Sequence, residues 1–174
     1  RLAVVTNSLG VATLTSWTLG KAAGSQTLVA TVSGVTGVSF RATATAAGAA
    51  SLNIVSGDNQ TATVNTVVPI APSVLVVDSM KNPVTGVPVI FSTATGSGTV
   101  LPATAVVTNS LGVATLTSWT LGKAAGSQTP RATVSGVTGV SFRATAPDAG
   151  SARRNIVAGA NRRAAANNGT PRPH

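Results

Sequence analysis

The sequence predicts an all-β fold, and two features of its 174 residues support this class. The first is composition: Val, Thr, Ala, Ser and Gly dominate, whereas Glu, Tyr and Cys are absent. Few long side chains that favour helices remain apart from Leu, so this mixture favours strands and turns. The second is spacing, because short runs rich in β-branched residues recur about every 8 to 15 positions with turn residues between them. This spacing is typical of a β-sandwich.

Seven strands can be placed within residues 47–146. They span residues 52–56 extended by 61–64, 73–78, 87–93, 104–108, 113–121, 128–135 and 140–146. In the third strand, Val87, Val89 and Phe91 occupy alternate positions and give one strongly apolar face, so the strand is expected to be half-buried. Pro88 indicates an edge or an irregular position in the same strand.

The fifth predicted strand, 113–121, has an inconsistent apolar phase. Ala114 and Leu116 share one parity, whereas Trp119 and Leu121 share the other. Because side chains alternate between the two faces of a strand, this change of phase predicts a bulge.

An internal repeat organises the chain. Residues 3–44 return as residues 105–146, an offset of 102, and only two of the 42 positions differ. At these two positions Leu28 and Val29 are replaced by Pro130 and Arg131. Pro130 removes a backbone donor and Arg131 adds a charge to an apolar pattern, so the strand 128–135 is expected to be frayed.

The repeat divides the chain into three segments. A period near 100 residues corresponds to a complete domain rather than to one unit of a solenoid. We therefore predict that residues 1–46 are the C-terminal half of a preceding repeat and that residues 47–146 are a complete repeat. Residues 147–174 are interpreted as the degenerate start of a third repeat, which we expect to be disordered because it has lost apolar residues.

Six short motifs occur in the complete repeat in a fixed order. They are Asn82-Pro83-Val84, Gly86-Val87-Pro88-Val89 with Phe91, Gly112-Val113-Ala114, Trp119-Thr120-Leu121-Gly122, Gly126-Ser127-Gln128 and Phe142-Arg143-Ala144-Thr145-Ala146. Together they resemble the group-one bacterial Ig-like domains that occur in tandem in invasin- and intimin-type surface adhesins. The resemblance covers the complete repeat and both partial copies. It implies an immunoglobulin-like Greek-key β-sandwich, display at the bacterial surface, and use as a stalk or an adhesive tip.

The inventory of chemical groups argues against an enzyme. The chain has one His, no Cys and three acidic side chains, all Asp, so a positioned base, nucleophile or metal cluster is hard to build. Asp58, Asp78 and Asp148 lack the spacing of a calcium loop and are expected in turns or on the surface. His174 is the last residue and is expected in a disordered end. We predict no catalytic, cofactor-binding or metal-binding residues and no cofactor.

Trp17 and Trp119 are the same position in two copies, and a tryptophan on a strand of a sandwich is expected in the core. The glycine-rich segment Gly96-Ser97-Gly98 lacks the helix and lysine of a phosphate-binding loop, so it is interpreted as a turn.

Charge supports a different function for the end of the chain. The formal net charge is +9, with 12 basic residues against 3 acidic ones. Five arginines crowd the last segment: Arg153, Arg154, Arg162, Arg163 and Arg172. The alternative function is therefore a basic binder of polyanions or nucleic acid acting through this tail. Because the tail carries no aromatic side chain for base stacking, nucleic acid is the less favoured partner.

We expect a structural or adhesive repeat module of an exported bacterial surface protein. Its partners would be the neighbouring Ig-like repeats and a host-cell or cell-surface receptor. The longest apolar runs, 74–77 and 87–91, are far shorter than the roughly 20 residues that cross a bilayer, so no membrane span is predicted. The expected location is extracellular or at the cell surface, with export signal and outer-membrane anchor supplied by regions outside these residues.

Overall fold

A computed structural model describes residues 3–148 as an all-β protein with a β-sandwich-like architecture, which confirms the predicted class. Fourteen strands lie in this range. The partial copy contributes β1 (Gly24–Val32) and β2 (Val35–Ala44). The remaining strands are β3 (Ser51–Ser56), β4 (Gln60–Thr61), β5 (Ser73–Val77), β6 (Pro88–Thr93), β7 (Thr99–Leu101), β8 (Val106–Val107), β9 (Val113–Thr115), β10 (Ser118–Thr120), β11 (Gly126–Gln128), β12 (Pro130–Val134), β13 (Val137–Ser141) and β14 (Ala144–Ala146).

The strands pair into several small sheets. One sheet has the order β3-β5-β9, and another has the order β13-β12-β6-β8. A third has the order β11-β14-β4, in which β4 runs parallel to β14. Strands β7 and β10 form an antiparallel pair, and within residues 3–148 strands β1 and β2 pair only with each other.

The hydrophobic core lies between the sheets of the complete repeat. Every buried hydrophobic residue among those described falls between Leu52 and Ala146. On β6, Val89 and Phe91 are buried while Ile90 is 56% exposed, which confirms the predicted half-buried strand. The Phe91 ring packs against Phe142 with centroids 6.3 Å apart and a tilt of 34°.

Pro88 is the first residue of β6. It pairs with Val107 of β8, while the residues from Ile90 to Thr93 pair with β12 on the other side. A proline is tolerated at the first position of a strand, where its missing N–H interrupts no ladder.

The strand predicted over 113–121 is two strands that belong to different sheets. The N–H of Leu116 donates to the carbonyl of Pro72 at 3.0 Å, and the N–H of Thr117 donates to the carbonyl of Leu101 at 2.8 Å. The chain therefore crosses from the β5 side to the β7 side between these two residues. This crossing, rather than the predicted bulge, is why Leu116 and Trp119 are both buried despite their opposite parity.

The predicted fraying around Pro130 is wrong. Strand β12 pairs with β6 on one side and with β13 on the other, and the carbonyl of Pro130 accepts from the N–H of Phe142 at 2.9 Å. Pro130 is fully buried and Arg131 is exposed, so the charge lies on the outer face. The loss of the proline donor coincides with a break at Thr129, which separates β11 from β12.

Strand β7 was not predicted. It has three residues and follows the glycine-rich turn 96–98, so it lacks the length and alternation that identify a strand. Its partner β10 supplies the pairing, with Trp119 opposite Val100. Likewise only Val106–Val107 of the predicted strand 104–108 is paired.

The two tryptophans have identical local sequences and different environments. Trp119 is fully buried, which confirms the predicted core position, and its Nε1 donates to the carbonyl of Ser97 at 3.0 Å. Trp17 is only partly buried. Within residues 3–148, Trp119 packs against a segment that contains Ser97, and Trp17 has no counterpart of that segment.

Replacing each tryptophan with phenylalanine should lower the unfolding free energy by different amounts, because the two side chains differ in burial. Trp119→Phe removes buried volume and leaves the Ser97 carbonyl without its donor, so we expect a loss of about 2 kcal/mol of unfolding free energy. Trp17→Phe should change stability by less than about 0.5 kcal/mol. Urea denaturation followed by circular dichroism measures both. Equal effects of the two substitutions would contradict the difference in burial.

Candidate functional site at the repeat junction

A buried aspartate organises the turn that follows β5. Asp78 is 1% exposed, and its Oδ1 accepts from the N–H groups of Met80 and Asn82, both at 2.8 Å. The backbone closes the same turn, because the N–H of Asp78 donates to the carbonyl of Asn82 at 2.9 Å. Lys81 adopts a φ of 69° within it. An aspartate that bonds to nearby backbone in this way is a turn-forming residue.

The second oxygen of the same carboxylate holds the segment that connects the two copies. Asp78 Oδ2 accepts from the N–H of Ala47 at 3.0 Å and from Nδ2 of Asn82 at 3.0 Å. Ala47 lies between β2 of the partial copy and β3 of the complete repeat. Four donors therefore surround one carboxylate, as a buried charge requires.

These hydrogen bonds lower the pKa of Asp78 from its ordinary value of 3.8 to about 2. The side chain of Asn82 makes the largest contribution, and burial acts in the opposite direction by disfavouring the ionised form. The backbone N–H groups of Asn82, Ala47 and Met80 also lower the pKa. The carboxylate is therefore ionised at neutral pH.

Asn82 extends this network into the partial copy. Its Oδ1 accepts from the N–H of Ala23 at 2.9 Å, and its Nδ2 donates to the carbonyl of Lys21 at 2.8 Å. We call the set Lys21, Ala23, Ala47, Asp78 and Asn82 the junction. Its hydrogen bonds join the end of β5, the connecting segment and the loop before β1.

The other residues considered from the sequence lie apart from the junction. Asp58 is half-buried, and its Oδ1 accepts from the N–H of Arg143, 85 positions away, at 2.7 Å. Asp148 is exposed at the end of the described range. His174 and the five tail arginines lie outside residues 3–148.

Within residues 3–148 no three His, Cys, Asp or Glu side chains cluster in a way that could hold a metal ion. The same part of the chain contains no helix long and apolar enough to span a membrane.

The sequence indicates the turn of the junction but not its contacts with the partial copy. Asp78 and Asn82 stand four residues apart after an apolar strand, which is a recognisable turn pattern. Their bonds to Ala23 and Lys21 connect residues about 60 positions apart and have no local signature. Sequence analysis therefore expected Asp78 in a turn or on the surface. It forms the turn but is buried, and the contact between copies was not found.

Comparison with known proteins gives no assignment. No protein-family model matches this chain. No curated protein matches it either. Among solved structures, the chain is similar to the beta-glucuronidase of Parabacteroides merdae, with a TM-score of 0.41 and 14% identity over 64% of this chain. The match spans 14% of that enzyme, and a likeness at this level carries no argument about fold or function.

The lowered pKa of Asp78 predicts a specific acid sensitivity. Because the folded-state value lies below the ordinary one, the ionised carboxylate stabilises the fold above about pH 4. This contribution should be lost as the pH falls from about 4 to about 2. Few other groups can mask the effect, since the chain has three Asp and no Glu.

Urea denaturation at several pH values tests this prediction. Asp78→Asn should be less stable at neutral pH and should lose much less stability between pH 4 and pH 2 than the unmodified chain. Asn82→Ala removes the largest cause of the lowered Asp78 pKa. In this variant the acid-induced loss of stability should therefore be complete at a higher pH than in the unmodified chain. If Asp78→Asn retains the full pH dependence, the carboxylate is not its source.

Proposed function

We propose that this chain is a repeat module of an exported bacterial surface protein, and that its immunoglobulin-like repeats serve in series as a stalk or adhesion unit. The observation that carries the proposal is the junction. A segment repeated almost without change is bonded through Asn82 to the copy that follows it. Repeats joined by defined contacts are suited to a stalk, because a stalk must hold a fixed length and direction.

The strand connections support an immunoglobulin-like Greek key. Strand β12 follows β11, which belongs to another sheet. It pairs with β6 on one side and with its sequence neighbour β13 on the other. Returning over a long connection to lie beside an earlier strand is the feature that defines a Greek key. The crossings between sheets at Leu116 and Thr129 serve the same topology.

The connection between the copies is short and bonded. Six residues, 45–50, separate Ala44 at the end of β2 from Ser51 at the start of β3. Two of their N–H groups are used: that of Ala47 on Asp78, and that of Ala50 on the carbonyl of Val77 at 2.9 Å. A connection held at two points has far less freedom than a flexible linker of the same length.

Adhesive contacts would use loops and exposed edges. Strand β8 is the last strand of its sheet, and Val107 on it is 59% exposed. Leu111, in the loop after β8, is 68% exposed. Edge strands and loops are the usual sites at which β-sandwiches bind other proteins.

A stalk role predicts that arrays are stiff. In recombinant arrays of two, three and four copies of residues 45–146, the radius of gyration should rise almost linearly from about 13 Å for one repeat. With Asn82→Ala in every copy, growth should approach the square-root dependence of a flexible chain. Small-angle X-ray scattering measures this, with Asn53→Ala as the control because Asn53 is exposed on β3. Square-root growth of the unmodified array would contradict a stalk.

A surface role predicts accessibility on intact cells. Antibodies against residues 45–146 should label unpermeabilised bacteria that express the full-length protein, and protease treatment of those cells should remove the label. Labelling that requires permeabilisation would contradict the proposal. In that case, salt-sensitive retention of the chain on DNA through residues 147–174 would support the polyanion-binding alternative.

A further inference from the structure

Strands β4 and β14 run parallel to each other, whereas every other pair of strands in residues 3–148 is antiparallel. Strand β3 is the first strand of the complete repeat, and β4 follows it after residues 57–59. Strand β14 is the last strand of the same repeat. The parallel pair therefore lies between the points at which the chain enters and leaves the complete repeat.

Hydrogen bonds join residues 58–62 to β14 and to the residue before it. The N–H of Arg143 donates to Oδ1 of Asp58 at 2.7 Å. The N–H of Gln60 donates to the carbonyl of Arg143 at 3.1 Å, and the N–H of Ala62 donates to the carbonyl of Thr145 at 3.3 Å. We call these five residues the clamp. Its contacts connect the beginning of the repeat to its end.

Both strands of the clamp are also fixed to the rest of the repeat. Gln60 is buried, and its Nε2 donates to the carbonyls of Gly57 and Ile70 at 2.8 and 2.7 Å. Its Oε1 accepts from the N–H of Ile70 at 2.8 Å. On the other side, β14 pairs with β11, with Ala144 opposite Gln128. Because both strands are anchored, tension applied to the chain acts on the bonds between them.

Parallel strands respond to this tension differently from antiparallel ones. The chain enters β4 at its N-terminal end and leaves β14 at its C-terminal end, and in a parallel pair these two ends point in opposite directions. Tension therefore slides the strands past each other, so the bonds between them carry the load together. When an antiparallel hairpin is pulled at its open end, the load falls on one bond at a time.

We propose that the complete repeat bears tension along the chain and that the clamp is the element that resists it. The inference deepens the proposed stalk role and rests on it, since a stalk between a surface and a bound partner is pulled at both ends. Forced unfolding is governed by the unfolding rate rather than by the equilibrium free energy. The force that unfolds the repeat is therefore set by the clamp and not by the stability of the whole repeat.

Optical tweezers test this proposal on the full chain. The chain has no cysteine, so DNA handles attach only where a cysteine is introduced, here before Arg1 and after His174. We expect one high-force event that releases about 300 Å, close to the extended length of residues 47–146. The hairpin β1-β2 should open at low force, because Gly24 pairs with Ala44 and the hairpin is pulled at its open end.

A second pulling geometry avoids shearing the clamp. Lys123 is exposed and lies before β11, whose Gly126 pairs with Ala146 at the end of β14. Handles at Lys123→Cys and after His174 therefore separate β11 from β14 starting at one end, and the pairs break one after another. The first event should occur at a force about threefold lower than in the end-to-end geometry, because one bond instead of several carries the load.

Matched variants separate the clamp from overall stability. Asp58→Ala removes the acceptor of the Arg143 N–H and should lower the end-to-end unfolding force by about a third. The control is Thr108→Ala. Oγ1 of the buried Thr108 accepts from the N–H of Val87 at 2.9 Å and donates to the carbonyl of Val84 at 2.8 Å, so this variant loses two bonds away from the clamp. It should lower the urea midpoint more than Asp58→Ala does, and the force by less than about a tenth.

Two results would overturn the proposal. The first is unfolding at the same force in both geometries, since the direction of loading would then have no effect. The second is a loss of force in Thr108→Ala that equals or exceeds the loss in Asp58→Ala, since the force would then follow overall stability. Neither result bears on display at the cell surface, which antibody labelling decides separately. Absence of labelling would remove the stalk role and leave the measured forces unchanged.

Discussion

The structure depends on one constraint: the apolar face of the C-terminal half of a repeat is buried only by the N-terminal half of a repeat. Two segments that share 40 of 42 residues provide an internal comparison. Phe142 is fully buried and Phe40 is 52% exposed, although their hairpins have the same register. Local hydrogen bonds are therefore sufficient to set the register and the turns, whereas the division of the hairpin between two sheets occurs only in the copy at residues 105–146. Burial, which contributes most of the free energy of a β-sandwich, requires contacts that are distant in sequence.

The junction follows from a second constraint, which is that a buried carboxylate must be fully hydrogen-bonded. Asp78 meets this requirement with donors from its own turn and from Ala47 in the connecting segment. Asn82 then has donor and acceptor capacity left for the loop at residues 21–23. Because these bonds replace bonds to water, their effect lies less in net stability than in geometry. They define where the connecting segment and the preceding loop sit against the end of β5.

Sequence reasoning succeeded where the determining interactions are local and failed where they are not. The all-β class and the half-buried strand at Val89 and Phe91 follow from composition and alternation, which act over a few residues. The irregular phase near Leu116 was detected, but it was interpreted as a bulge because only the positions of Pro72 and Leu101 reveal a crossing between sheets. Fraying at Pro130 was expected from the missing donor, whereas the partners on both sides of β12 hold the strand in place. The junction was missed because its two ends are about 60 residues apart.

Near-identity of the two hairpins means that residues 47–104 face two almost equivalent partners within one chain. Chain connectivity favours neither hairpin strongly. The downstream hairpin lies in residues 105–146, which follow the segment directly, and the upstream hairpin lies in residues 3–44, which precede it by a short connection. The complete repeat uses the downstream hairpin, in which β12 pairs with β6. Use of the downstream hairpin leaves the upstream loop free to bond to Asn82, an arrangement that would be lost if the upstream hairpin folded back onto the same half. The hydrogen bonds of Asn82 to the upstream loop and the pairing of β6 with the downstream hairpin therefore belong to one and the same arrangement of the two copies.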